Sequence, residues 1–292
     1  MSNGHSSGIG YVGQSSAPDQ LNIIPRQMNF KHVKGKPKHW HHGDPLMTHL
    51  LTSASFFFPE GERFFIRSVR HYQNEITDPK LSKEILGFIA QEGIHGNEHE
   101  EYNEDVIEQG YTFLKPWKRI IKGLFKVVDR VTSREFQLGM TVSLEHVTAL
   151  LAGSLLKHPE ALLKGCDPKY REIWLWHAVE ETEHKSVAFD TYEAIGGRFW
   201  IRSVSMVVSN LIFLPTVLIM LVQFLRRDGC LSQQLFRDAM EYHQDNGEVF
   251  IEMWTEYKSF FRKDFSPWNN LNQGLVDDWK DSNQTKYSMI EG

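Results

Sequence analysis

"HAVEETEH" (177–184) places two histidines and three acids within about two turns of a helix. The residues just before it, "YREIWLW" (170–176), are largely aromatic and apolar, so this part of the helix reads as buried. An unpaired buried charge is costly, and these acids and imidazoles therefore need a reason to be inside. Positions three and four apart share a helix face, which sets His177, Glu181 and His184 on one stripe that Trp174 and Ala188 extend.

The same pattern recurs upstream. Glu92 and His95 are three apart and His99 lies four further on, while Ile85, Phe88, Ile89 and Tyr102 continue that face. "TVSLEHVTALLAG" (141–153) carries Glu145 among Leu138, Val142, Ala149 and Ala152. "FFFPEGERFFIRSV" (56–69) offers Glu62 on the face of Phe65, Ile66 and Val69. Four helices thus each direct a glutamate inward, and two of them carry Glu-x-x-His. This is the donor set of a dinuclear site inside a four-helix bundle. A residue and its i+3 neighbour can grip one ion without distorting the helix. Four carboxylates balance two divalent cations, so the buried site is near neutral when loaded and self-repelling when empty. Mixed carboxylate and imidazole donors suit two iron ions, with manganese as the rival.

Several neighbours compete for roles. Glu180 lies on nearly the same face as Glu181, and Glu181 is preferred because it repeats the Glu-x-x-His spacing. His99 rivals His177 as a third histidine and reads as a hydrogen-bonding support. His146 is about 100° round the helix from Glu145, as a support or a surface residue. "HWHH" (39–42) reads as a polar loop, and Glu60 as a residue at a helix start.

The periodicity is helical nearly throughout, which predicts an all-α protein. Residues 1–37 read as a disordered lead with no apolar signal core, and 38–292 as one helical domain. The bundle is expected over about 46–197. Its first helix runs 46–75 with a break at "PEG" (59–61), and its second runs from Asp78-Pro79 to about Gly110. A shorter helix follows Pro116. The third bundle helix starts at "TSRE" (132–135), which has capping-box spacing, and the fourth spans Asp167-Pro168 to Gly196-Gly197. An amphipathic helical tail follows at 231–264.

Composition narrows the function classes. A net charge of −5 gives no footprint for nucleic acid. Cys166 and Cys230 form no CxxC pair, which fits a reducing cytoplasm. The segment 203–225 has 23 residues without a charge, between Arg198 and Arg202 on one side and Arg226 and Arg227 on the other. Its length fits a membrane span, whereas Asn210 and Pro215 weaken that reading. Membrane contact, a buried helix and the subunit interface of a homodimer all stay open, and each favours a greasy substrate channel near the bundle.

The order Glu62, Glu92/His95, Glu145, Glu181/His184 resembles the ferritin-like di-iron carboxylate proteins over roughly residues 46–197. The added His177 is similar to the third histidine of the arylamine N-oxygenases. The wording "FPEGERFFIRSVR" (58–70), "QEGIHGNEH" (91–99) and "HAVEETEHKSVAFD" (177–190) also resembles a bacterial family catalogued as predicted metal-dependent hydrolases. The first two resemblances imply a ferritin-like four-helix bundle with flanking helices. They also imply an oxygenase that takes dioxygen and electrons from a donor to hydroxylate or N-oxygenate a hydrophobic small molecule. Glu92 and Glu181 would bridge or chelate, Glu62 and Glu145 would bind terminally, and His95, His184 and His177 would each hold one iron. The third resemblance implies a hydrolase using a metal-activated water, and a ferritin-like iron-binding protein is a further alternative.

Overall fold

Three long helices start on Asp-Pro. The aspartate accepts a backbone N–H of the first turn, and proline has the backbone angle of that turn and no N–H to waste. In the computed structural model, which describes residues 13–19, 21–28 and 37–290, these starts open α1 (Pro45–Tyr72), α2 (Pro79–Glu108) and α6 (Pro168–His184). Asp44 accepts from Leu46 N at 2.7 Å, Asp78 from Leu81 N at 2.6 Å and Asp167 from Lys169 N at 3.1 Å. α4 (Arg134–Lys157) is capped instead by Ser133, which accepts from Phe136 N at 3.2 Å. That shifts the expected capping box by one residue and frees Glu135 to pair with Arg198.

α1 packs on α2, α2 on α6, α6 on α4, and α4 back on α1, forming an all-α bundle of four long helices. α3 (Lys115–Val131) lies against α1, and α5 (Pro159–Leu162) links α4 to α6. α8 (Phe199–Arg227) packs along α1 and α4. Phe64, Phe88, Leu138, Tyr192, Met206 and Phe224 are buried in the shared core. Two helices among the described residues, α4 and α8, are long and apolar enough to cross a membrane. The apolar window of α4 is 78% buried, as suits a core helix, whereas that of α8 is only 44% buried.

The structure departs from the sequence expectations in four further places. α1 runs unbroken through Pro59. The proline removes the bond to the Ser55 carbonyl, and Asn103 Nδ2 of α2 donates to that oxygen at 3.0 Å instead. The fourth bundle helix stops at His184 and resumes as α7 (Val187–Ala194) after a turn holding the buried Lys185, whose ammonium donates to Asn270 O and Asn272 Oδ1 at 2.7 Å each. The amphipathic tail divides at Asn246-Gly247 into α9 (Gln233–Asp245) and α10 (Gly247–Ser259), and α11 (Gln273–Asn283) follows. Finally, part of the stretch read as a disordered lead is folded. β1 (Arg26–Met28) pairs antiparallel with β2 (Tyr287–Met289), Arg26 opposite Met289. The charged side chain of Arg26 is buried against the bundle, so low hydrophobicity was a poor guide to order there. Residues 1–12, 20 and 29–36 of that lead lie outside the described residues.

Candidate metal centre

Every residue of "HAVEETEH" is buried. This stretch of α6 has no solvent face, so its acids divide between two interiors. Glu181 turns with His177 and His184 into the bundle. Glu180 and Glu183 turn outward to Arg26.

The bundle side gathers donors from all four long helices. Ligand atoms of Glu62, Glu92 and His95 lie within 4.8 Å of one another, and so do those of Glu92, Glu145 and His184, and those of His95, His177 and Glu181. Glu92 belongs to two of these groups. Glu181 Oε1 also faces both sides, 3.5 Å from His95 Nδ1 and 3.6 Å from His184 Nε2. His184 Nε2 lies 3.1 Å from Glu92 and 3.4 Å from Glu145. Both oxygens of Glu62, Glu92 and Glu145, Glu181 Oε2, His95 Nδ1 and His184 Nε2 are buried without a hydrogen-bond partner. Buried polar atoms are almost always satisfied, and a set of orphans on one small volume is what a cation site requires. The donors also fit a pair of ions in number and charge. Glu62, His95 and His177 stand on one side and Glu145 and His184 on the other, with Glu92 and Glu181 shared.

Hydrogen bonds behind the cluster fix which imidazole nitrogen faces it. Ser55 Oγ donates to Asn103 Oδ1 at 2.9 Å, so at 2.8 Å it can only accept from His99 Nδ1. His99 Nε2 then accepts from His177 Nδ1 at 2.7 Å. The lone pair of His177 Nε2 is left facing Glu181 Oε1 at 2.8 Å, two electron-rich atoms that a cation reconciles. His99 thereby orients His177. His184 Nδ1 donates to Gln91 Oε1 at 2.9 Å, whose amide nitrogen donates to Glu183 at 3.1 Å. His95 Nε2 donates to Glu180 at 3.0 Å, so Glu180 stands behind the cluster while Glu181 faces it. Arg26 closes the outer layer, donating to Glu183 at 2.6 and 2.7 Å and to Glu180 at 3.2 Å. Lys280 of α11 pairs with Glu183 as well.

The electrostatics follow from burial and crowding. Burial, reinforced by Glu92, pushes the carboxyl of Glu62 well above its ordinary range. Burial, Glu92 and Glu181 do the same to Glu145. Burial opposes ionisation of Glu181 too, but His184 and His95 pull it well below its ordinary value. Glu92 is lowered against burial by His184 and His95. His95 and His184 are raised well above theirs, because their carboxylate neighbours overcome burial. Burial and the neighbouring imidazoles keep His99 well below its ordinary value and lower His177.

Gly96 is one signal the sequence reading passed over. A Cβ there would meet Glu62 Oε2 at 2.9 Å, so the missing side chain is the room that lets the carboxylate reach α2. Arg26, Gln91, Glu183, Ser55 and Asn103 were also missed. The remaining rivals fall elsewhere. His146 is buried between Phe260 and Phe265, with burial lowering it to about 4, and it is neither exposed nor in the cluster. Glu60 pairs with Arg63 inside α1. His39, with His49, Lys38 and Tyr111, holds Asp228 at the end of α8 at 2.6–2.8 Å, four donors that fasten the entry segment.

A cavity of about 660 Å³ lies beside the centre, walled by Leu50, Ala54, Phe58, Leu151, Trp174 and Met253. Phe58 and Leu151 also line a void of about 20 Å³ that touches Glu62, His177 and Glu181. These two side chains line both spaces and so stand between the large cavity and the cluster.

No curated protein and no solved structure matches the chain. The profile of one protein family does, over residues 24–270, a span that holds every residue of the cluster and Arg26 behind it. The chain accordingly belongs to that family, described as predicted metal-dependent hydrolases.

Proposed function

We propose that the chain is a dinuclear iron enzyme that uses dioxygen to hydroxylate or N-oxygenate an apolar small molecule, with manganese as the alternative metal. The observation that carries this reading is the wall between cavity and cluster. Around the void at Glu62, His177 and Glu181, the other side chains are Phe57, Phe58, Phe65, Leu144, Val147, Leu151, Phe213 and Thr148. The Thr148 hydroxyl is committed to the Glu145 carbonyl at 3.0 Å. Such a wall excludes water and protects reactive species, and it offers no further acid or base. An iron pair held by Glu62, Glu92, His95, Glu145, His177, Glu181 and His184 would supply the redox chemistry for dioxygen, with an external donor to restore its electrons. The protein's part is to hold donors from four helices against their mutual repulsion, with His95, His177 and His184 locked by Glu180, His99 and Gln91. The large cavity binds the substrate's apolar body, within the size range usual for small-molecule sites.

The family description favours a second reading, hydrolysis. A metal pair lowers the pKa of a water it binds, and that water would attack an ester or amide. Against this, the small void beside the cluster offers no proton donor for the leaving group other than the cluster itself, and the titratable side chains His42, Asp44, Asp238, Tyr242 and His243 line only the large cavity. One experiment separates the two. Protein purified without chelator is analysed for metal, then tested for oxygen uptake with a reductant and for anaerobic cleavage of apolar esters. The proposal expects bound iron and reductant-dependent oxygen uptake that an apolar substrate stimulates. Anaerobic ester turnover without oxygen uptake assigns the site to hydrolysis.

A further inference from the structure

We propose that the outer faces of α8 and α10 dock the chain on an anionic lipid bilayer, lying in its interface without crossing it. Trp200, Val204, Val207, Leu211, Leu214 and Leu218 are all exposed, Leu211 by 68%. Their alternating spacing of four and three draws one line along α8. The opposite side of the helix, with Ile201, Met206, Phe213 and Met220, is buried against α1 and α4. Arg202 on that inner side donates to the Phe260 and Arg262 carbonyls. A membrane span would have to strip all of this away, so the helix can lie on lipid but not through it.

The face is wider than one helix. Asn210 Nδ2 donates to Tyr257 of α10 at 3.1 Å, and Tyr257 stacks on Trp254 with centroids 5.4 Å apart. Ile251 and Trp254 are exposed on α10. Basic groups stand on its aromatic rim. Lys258 lies 5.8 Å from the Trp254 ring, Lys263 6.0 Å from Phe199 and Arg198 5.3 Å from Trp200. Arg226 and Arg227 are exposed at the C-terminal end of α8. Arg198 already carries Glu135, so the cations available to headgroups are Lys258, Lys263, Arg226 and Arg227, against one exposed acid, Glu248, on the Ile251 face of α10. Apolar residues rimmed by aromatic and basic side chains match the layered polarity of a bilayer interface. A second copy fits less well. Parallel pairing of α8 opposes Arg226 and Arg227 to themselves, and antiparallel pairing turns them toward the Arg198 end. α10 also lends Phe250 and Met253 to the large cavity, so docking sets a wall of the substrate site beside the lipid, whichever reaction the centre performs.

The test is co-sedimentation of the full chain with phosphatidylcholine vesicles, with and without phosphatidylglycerol. The parent binds the mixed vesicles and binds the neutral ones more weakly. Leu211→Glu with Leu218→Glu lowers binding by about tenfold or more, since two apolar side chains are lost from the buried face. Arg226→Gln with Arg227→Gln, which leaves the helix packing alone, lowers it several-fold on mixed vesicles only. Circular dichroism and metal content stay at parent values in both. No binding by the parent, equal binding to both vesicles, or a parent dimer that the leucine variant dissociates overturns the proposal. The last result would assign the face to a second copy.

Discussion

Arg26→Met tests whether the outer layer holds the inner one. The substitution keeps an unbranched apolar side chain on β1 and keeps the backbone bond from Arg26 N to Glu180 at 3.0 Å. It removes three charge-assisted contacts, at 2.6 and 2.7 Å to Glu183 and 3.2 Å to Glu180. Removing one partner of a buried ion pair costs about 3–5 kcal/mol, because the other charge stays inside. Glu183 keeps Lys280 and Gln91, and Glu180 keeps His95, so the loss falls near about 3 kcal/mol. A second effect is relayed to the cluster, since Glu180 orients His95 and Glu183 orients His184 through Gln91. Loss of such support lowers metal affinity about 10–100-fold, or roughly 1.4–2.8 kcal/mol. Urea unfolding of metal-free protein reads the first term, and metal titration against a competing chelator reads the second. Arg26→Lys restores charge without the planar fork and falls between parent and Met variant. Metal affinity within twofold of the parent in Arg26→Met, at any stability, would refute the relay.

Gly96→Ala gains up to about 1 kcal/mol of helix propensity in metal-free protein, yet its Cβ displaces Glu62 Oε2. Thermal melts should show the metal-free variant at least as stable as the parent, while chelator competition shows weaker metal binding. The pH dependence has a definite sign. His95, His184, Glu62 and Glu145 all have folded values raised above their unfolded ones, so their stabilising protonated forms are lost as pH rises through the folded values. Glu92 and Glu181 are depressed, and their contribution is lost only as pH falls below the ordinary carboxylate range. Metal-free protein should therefore lose stability as pH climbs above the ordinary carboxylate value of 4.5, where Glu62 and Glu145 contribute, and further above the ordinary histidine value of 6.5, where His95 and His184 join them, and metal-loaded protein should not. Loading near neutral pH should release protons, measurable with an indicator dye. Leu151→Trp narrows the passage between cavity and cluster, and should reduce turnover of bulky apolar substrates with bound metal unchanged.

The sequence alone determined the helices and the inward set. Helical spacing is local, so a stripe of Glu62, Glu92, His95, Glu145, His177, Glu181 and His184 could be read from residues three and four apart. The Asp-Pro starts at 78 and 167 are equally local, because cap and helix are neighbours in the chain. What tertiary structure decided was the partner of each group. Glu180 and Glu181 are adjacent and chemically identical, and only the arrival of Arg26 behind one of them separates their roles. The choice between His99 and His177 rested on a proton direction set by Ser55 and Asn103, which Pro59 brings into play across two helices. Gly96 became meaningful only when α1 was laid against it. Long-range pairing leaves no period in the sequence, so the outer layer, the folded part of the lead and the half-covered face of α8 had to be seen in three dimensions.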